Sequence, residues 1–239
     1  MNPILTNWCR TCEPNFGDML TSVLLTHYDI PHEWADPKHA RLFMVGSIIS
    51  KVPFDSTATI LGTGLISPDN AKLFDRPNVL AVRGALTRDM CGIGDVVLGE
   101  AGILVGDWAG TQRHTEAGCL WVPHQADRRH PHDLLPYVQY ADTLSPRQLR
   151  PDAFYDQLSI YATVYSSSLH ALIAADVLGI PHAYVPCDRV TGGDFKFQDY
   201  ASAFGDEFVP YKLRLTDRVD MSTKQDEMRA LVLSLKEAP

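Results

Sequence analysis

Along the chain, short apolar runs rich in β-branched residues alternate with segments whose apolar positions recur at helical spacing, the layering of an α/β fold on a mainly parallel sheet. The runs predict strands near Ile4–Trp8, Leu42–Val45, Thr59–Leu61, Val79–Val82, Leu120–Val122, Ser159–Val164 and Ala183–Val185. Helical spacing predicts Asp18–His27, Ala85–Met90, Pro151–Gln157 and Leu169–Leu178, the last closed by Gly179 with Pro181 beyond it, as helix C-termini prefer. A final segment, Ser222–Lys236, alternates apolar and charged residues at the same spacing and is expected to pack across the body of the protein. The polar stretch Ala109–Gly118 lies between apolar runs and marks an expected boundary between an N-terminal lobe, 1–114, and a C-terminal lobe, 115–239.

Composition narrows the function classes. With 239 residues the chain suits one large α/β domain or two small ones, and it is 45% hydrophobic and 21% charged, ordinary for a globular protein. No apolar run approaches the roughly 18 residues of a membrane span. The start, Met1 to Trp8, has no cationic segment, long apolar core or cleavage site, so a cytoplasmic location is expected. A formal net charge of -8 argues against nucleic acid, which selects for a basic face, and any anionic ligand must find locally clustered Arg and Lys. Five scattered cysteines read as reduced thiols rather than a disulfide framework.

In open parallel sheets ligands bind beyond the carboxyl ends of the strands, so chemistry is expected in the turns that follow each apolar run. Four turns stand out. Asn15-Phe16-Gly17-Asp18 opens the first helix; a tight-turn glycine with Asp18 as N-cap explains it structurally, a substrate contact functionally. Gly62-Thr63-Gly64 resembles half of a dinucleotide fingerprint but places Ser67 where the third glycine should fall. Val82-Arg83-Gly84 ends a strand with a guanidinium beside a glycine, suited to a forked anion contact or to a solvated surface. Ser166-Ser167-Ser168-Leu169-His170 joins strand to helix, where free N–H groups, three hydroxyls and a proton-transfer group meet; serine capping beside an inert histidine is the plainer reading.

Taken in order, these blocks resemble the polysaccharide pyruvyl transferase family, most closely its short exopolysaccharide branch, which installs pyruvate ketals on repeats of the xanthan and succinoglycan type. The resemblance spans nearly the whole chain. It is carried by residues 15–20 (NFGDML), Val45-Gly46-Ser47-Ile48-Ile49, Gly62-Thr63-Gly64, residues 82–88 (VRGALTR) and Val122-Pro123-His124, and more specifically by residues 166–173 (SSSLHALI) with Gly179-Ile180-Pro181 and by residues 195–200 (FKFQDY). Two departures stand out: other branches carry Arg where this chain has Ser168, which shifts phosphate contacts to Arg83, Lys196 or Arg189, and Leu98-Gly99-Glu100-Ala101-Gly102 replaces a common Gly-Asp-Pro-Ala and is expected to be structural.

The resemblance implies two Rossmann-like lobes in a glycosyltransferase-B-like pair with an interlobe active site. It also implies phosphoenolpyruvate as donor, a lipid- or nucleotide-linked saccharide as acceptor, no cofactor or metal, and allows peripheral contact with the inner membrane face. His170 is the expected acid/base and Asp18 the base or acceptor-hydroxyl orienter. Arg83 and Lys196 are expected to hold the donor's carboxylate and phosphate, and Asn15, Gly17, Gly62, Gly64, His124, Ser167, Ser168, Leu169 and Asp199 complete the expected binding set.

Rival readings have their own marks. Trp8-Cys9-Arg10-Thr11-Cys12 has the form of a thioredoxin-like redox site, but no βα unit precedes it and Pro14 and Gly17 interrupt the helix it would need. Cys9 and Cys12 lack the second cysteine pair of a zinc site, and His124, His130 and His132 offer a metal cluster or a solvated loop. A nucleotide-sugar glycosyltransferase or a non-catalytic glycan-binding relative would share the fold.

Overall fold

A computed structural model describes residues 2–10, 15–74, 77–108, 117–134, 138–147 and 150–237. The expected boundary near 109–118 falls largely on residues outside this set, as do Cys12 and Pro14. In chain order the elements are β1 (Ile4–Asn7), α1 (Phe16–His27), β2 (His32–Trp34), β3 (Leu42–Phe43), β4 (Thr59–Leu61), β5 (Asn78–Val82), α2 (Ala85–Met90), β6 (Val97–Leu98), β7 (Ala117–Val122), β8 (Asp142–Thr143), α3 (Pro151–Leu158), β9 (Tyr161–Ser166), α4 (Leu169–Leu178), β10 (His182–Tyr184), α5 (Phe195–Ser202) and α6 (Arg218–Ser234).

The strands form two sheets, β2-β1-β3-β4-β5-β6 and β10-β9-β7-β8, and every pair within them is parallel. The α/β class with parallel sheets is therefore as the hydrophobic pattern predicts. The strands that pattern misses, β2, β6 and β8, all lie at sheet edges. An edge strand pairs on one side only, and β8 consists of two exposed residues, so little apolar signal marks it.

Several boundaries shift for local reasons. The strand expected at Ser159–Val164 begins at Tyr161, because Ser159 still belongs to the end of α3: its N–H donates to the Tyr155 carbonyl and its hydroxyl to the Asp156 carbonyl. Asn15, not Asp18, is the N-cap of α1; its Oδ1 accepts from the Gly17 N–H at 2.9 Å, which leaves Asp18 free in the first turn. The terminal helix starts earlier than expected, since Asp217 accepts from the N–H groups of Val219 and Asp220.

That helix does cross the body. Arg218 donates to the Val177 and Leu178 carbonyls at the end of α4, Gln225 to the Ile103 carbonyl, and Arg229 makes a forked pair with Asp107 at 2.6 and 2.9 Å. One continuous apolar core joins α1, α3, α4 and α6 to strands of both sheets, through Leu20, Leu61, Ala81, Val122, Val164, Leu172 and Met228. No helix among the described residues is long and apolar enough to cross a membrane.

Candidate functional site

Parallel strands point all their carboxyl ends one way, and here the two sheets direct theirs at a shared cavity of about 240 Å³. Its lining comes from the turns and helix starts after six strands: Cys9 after β1, Gly46, Ser47, Ile48 and Lys51 after β3, Ile66 after β4, His124 and Gln125 after β7, Ser168, Leu169 and His170 after β9, and Thr191 and Lys196 after β10. Asn15 and Asp18 add the start of α1. A larger, more open hollow of about 730 Å³, lined by Trp34, Arg41 and Thr57 among others, holds none of the candidate residues.

Asp18 and His170, far apart in sequence, share this cavity. Their proximity depends on Gly17, where an added Cβ would stand 2.2 Å from His170 Nδ1; the missing side chain is what lets the imidazole lie against the start of α1. Phe16 fixes the same turn from behind, stacked on Phe154 of α3 at 3.7 Å between ring centroids. Burial pushes the Asp18 carboxyl above its ordinary range, against the opposing pull of His170, Lys51 and Lys196.

His170 is held from its other side. Its Nε2 lies 3.1 Å from Oε1 of Glu100, a fully buried carboxylate that also accepts from the Gly46 N–H at 2.9 Å. Burial alone would drive the Glu100 carboxyl up, but His170, Arg83 and the Gly46 N–H together outweigh it and hold the group below the usual carboxylate range. Sequence reasoning assigns Glu100 to a structural loop. It stands in the turn after β6, a two-residue edge strand that the apolar pattern misses, so the strand-end rule that selects the other turns had no strand end to point to it.

Lys196 projects from α5 into the cavity and is 7% exposed. Burial, then the neighbouring Arg83, lowers its pKa to about 8, with Asp18 and Glu100 acting in the opposite sense. His124 is held near 4, first by burial and then by Lys196 and His170, so its ring is neutral at physiological pH. Its Nδ1 accepts from the Ala126 N–H, which leaves Nε2 as the N–H-bearing nitrogen.

The three serines divide their work. Ser166 donates to the Val122 carbonyl and Ser167 to Asp127 Oδ2, while Ser167 also accepts from the His124 N–H, so both tie β9 to the β7 turn. Ser168 makes no side-chain cap and lines the cavity with Leu169. Ser167 is thus a buried strut rather than part of the expected binding set.

Five other expected binding residues also lie off the cavity lining: Gly17, which sits under the His170 ring, and Arg83, Asp199, Gly62 and Gly64. Arg83 is 0% exposed, behind the cavity: Nε donates to Asp199 Oδ2 at 2.8 Å, Nη1 to Ser47 Oγ at 2.6 Å, and Nη2 to the Leu65 carbonyl. Asp199 is equally buried and accepts further from the Thr87 N–H and hydroxyl, so this pair locks α5 to the start of α2. Gly64 leaves room for the Arg83 guanidinium and Gly62 for the backbone of Ala101; neither lines the cavity. The sequence blocks containing Arg83 and Asp199 therefore contribute a buried ion pair here, and Lys196, with Lys51, supplies the cavity's ammonium groups.

Cys9 reaches the cavity, but burial and then Asp18 push its thiol up, the opposite of a redox-active cysteine. Among the described residues no group of His, Cys, Asp and Glu converges as a metal site, and His130 and His132 stack on each other at the surface. Arg189 lies outside the cavity, in a separate surface depression with Arg128, Arg129 and Asp133. No protein-family model matches the sequence. The chain is similar to an uncharacterized protein of Acanthamoeba polyphaga mimivirus, 31% identical over 181 residues, which covers 70% of this chain and 61% of that protein.

Proposed function

We propose that the chain is a ketal pyruvyltransferase of the polysaccharide pyruvyl transferase kind, moving the enolpyruvyl group of phosphoenolpyruvate onto a sugar of a polysaccharide or glycan precursor and releasing phosphate. The observation that carries this reading is the convergence of Asp18, His170 and Lys196 on one cavity at the carboxyl edges of two parallel sheets, beside the start of α4. In this reading the two sheets belong to Rossmann-like lobes of a glycosyltransferase-B-like arrangement, split near residues 114 and 115, and the cavity is the interlobe cleft.

The donor carries a carboxylate and a phosphate, so a partly dry site must supply positive charge. Lys196, Lys51 and the N–H groups at the start of α4 provide it in a chain of net charge -8. The imidazole of His170 protonates the methylene carbon, making the carbon that bears phosphate electrophilic. A sugar hydroxyl attacks that carbon and gives its proton to Asp18. The carbon–oxygen bond to phosphate breaks, a second hydroxyl adds and gives its proton to His170, which the first step left as a base, and the ketal closes with inorganic phosphate as the other product.

Incubation with phosphoenolpyruvate and a panel of lipid-linked and nucleotide-linked saccharides tests this directly. The expected result is acceptor-dependent phosphate release with a matching pyruvyl mass gain. Sugar transfer from a labelled nucleotide sugar, without consumption of phosphoenolpyruvate, would overturn it.

A further inference from the structure

We infer that Glu100 is the positioning residue of this site: it fixes Nε2 of His170 as the N–H-bearing nitrogen and leaves Nδ1 to exchange the proton with substrate. The inference rests on the pyruvyl-transfer reading for the proton's destination, though not for the state of the ring.

The direction of the bond follows from Glu100's other partner. A backbone N–H can only donate, so Oε1, which receives the Gly46 N–H at 2.9 Å, is an acceptor oxygen with a second lone pair facing His170 Nε2 at 3.1 Å. Glu100 Oε2 has no hydrogen-bond partner among the described residues. The carboxylate is fully buried, so its charge is stabilised through Oε1 and by the neighbouring cations alone. An ionised carboxylate in that setting is an acceptor only, and the proton between the two groups sits on Nε2.

Nδ1 is in a different position. It makes no hydrogen bond among the described residues and lies over Gly17, beside the first turn that carries Asp18. His170 is 16% exposed and borders the cavity, whereas Glu100 does not. The charged and titratable groups around the ring and its cavity are Asp18 from α1, Glu100 from the turn after β6, His124 from the turn after β7, Lys196 from α5, and Cys9 and Lys51 from the turns after β1 and β3. Glu100 lies 3.1 Å from Nε2, where its charge stabilises the imidazolium that forms when a proton arrives at Nδ1. A carboxylate that served only to pin the Gly46 loop would have no such effect on the ring.

Two measurements test this on the full chain. In the nitrogen spectrum of ¹⁵N-histidine-labelled protein at alkaline pH, with His170 identified by its loss in His170→Gln, the expected ring carries its proton on Nε2 and a bare Nδ1. A ring protonated on Nδ1 overturns the inference, and this readout needs neither activity nor a Glu100 variant. In kinetics, Glu100→Gln keeps the shape and removes the charge, and it is expected to lower kcat by at least about tenfold, short of or up to the roughly 10²–10⁴-fold of a lost acid–base group, while the phosphoenolpyruvate KM stays within a few-fold. A folded Glu100→Gln protein with parental kcat also overturns the inference. Absence of pyruvyl transfer from the parent would sink the proposed activity, and the ring's protonation state would still decide whether Glu100 orients His170.

Discussion

Replacing Arg83 by Ala is expected to damage the fold rather than donor binding, the reverse of what an Arg at a strand-end turn suggests from sequence. The guanidinium and the Asp199 carboxylate are both 0% exposed and 2.8 Å apart. Removing the cation leaves Asp199 buried with only the Thr87 N–H and hydroxyl as donors, and frees the Ser47 hydroxyl and the Leu65 carbonyl. Breaking one side of a buried ion pair costs about 3–5 kcal/mol, against a total stability of about 5–15 kcal/mol for a domain. At roughly 2–4 °C per kcal/mol for a chain of this size, the melting temperature should fall by about 6–20 °C. Asp199→Ala should fall by a similar amount and the double variant by less than the sum, because each single change already isolates the other charge. Thermal and denaturant unfolding of the three variants measures this. An Arg83→Ala protein with parental melting temperature and a raised phosphoenolpyruvate KM would refute the reasoning and return Arg83 to the anion site.

His170→Gln is expected to lower kcat by about 10²–10⁴-fold with donor affinity largely kept, checked by steady-state kinetics and direct donor titration; normal turnover at saturating donor would leave Asp18 as the leading group. Gly17→Ala should mimic it in part, since the new methyl falls 2.2 Å from His170 Nδ1 and must displace the ring, so kcat should drop more than donor affinity. Lys196 binds anions only as the ammonium, so donor affinity should weaken as pH rises through about 8, and Lys196→Met should remove that dependence. Without donor the sign for stability is opposite: the unfolded lysine, near 10.5, holds its proton where the folded one has lost it, so stability should rise between about 8 and about 10.5 in the parent and less so in Lys196→Met, as denaturation at a series of pH values would show.

What the sequence by itself determined is the local layer. Periodicity and caps placed β4, α2 and α4 with their bounds close to those observed, and the rule that ligands gather past parallel strand ends brought Asp18, Ser168 and His170 onto one list, to which only the resemblance added His124 and Lys196. These are properties of short segments, set by backbone geometry and apolar spacing over a few residues.

The tertiary structure decided which charged groups face the cavity and which face each other. Arg83 and Lys196 look alike as cations near glycine turns or helix starts, yet one is buried against Asp199, a residue 116 positions away, and the other opens into the cavity. Glu100 reads as a loop acid until the fold sets it beside a histidine 70 positions later. Pairing across such distances depends on how the two sheets and α5 pack, and a one-dimensional pattern contains no term for it. The same holds for Gly17, whose value lies in the ring that packs over it rather than in its own turn.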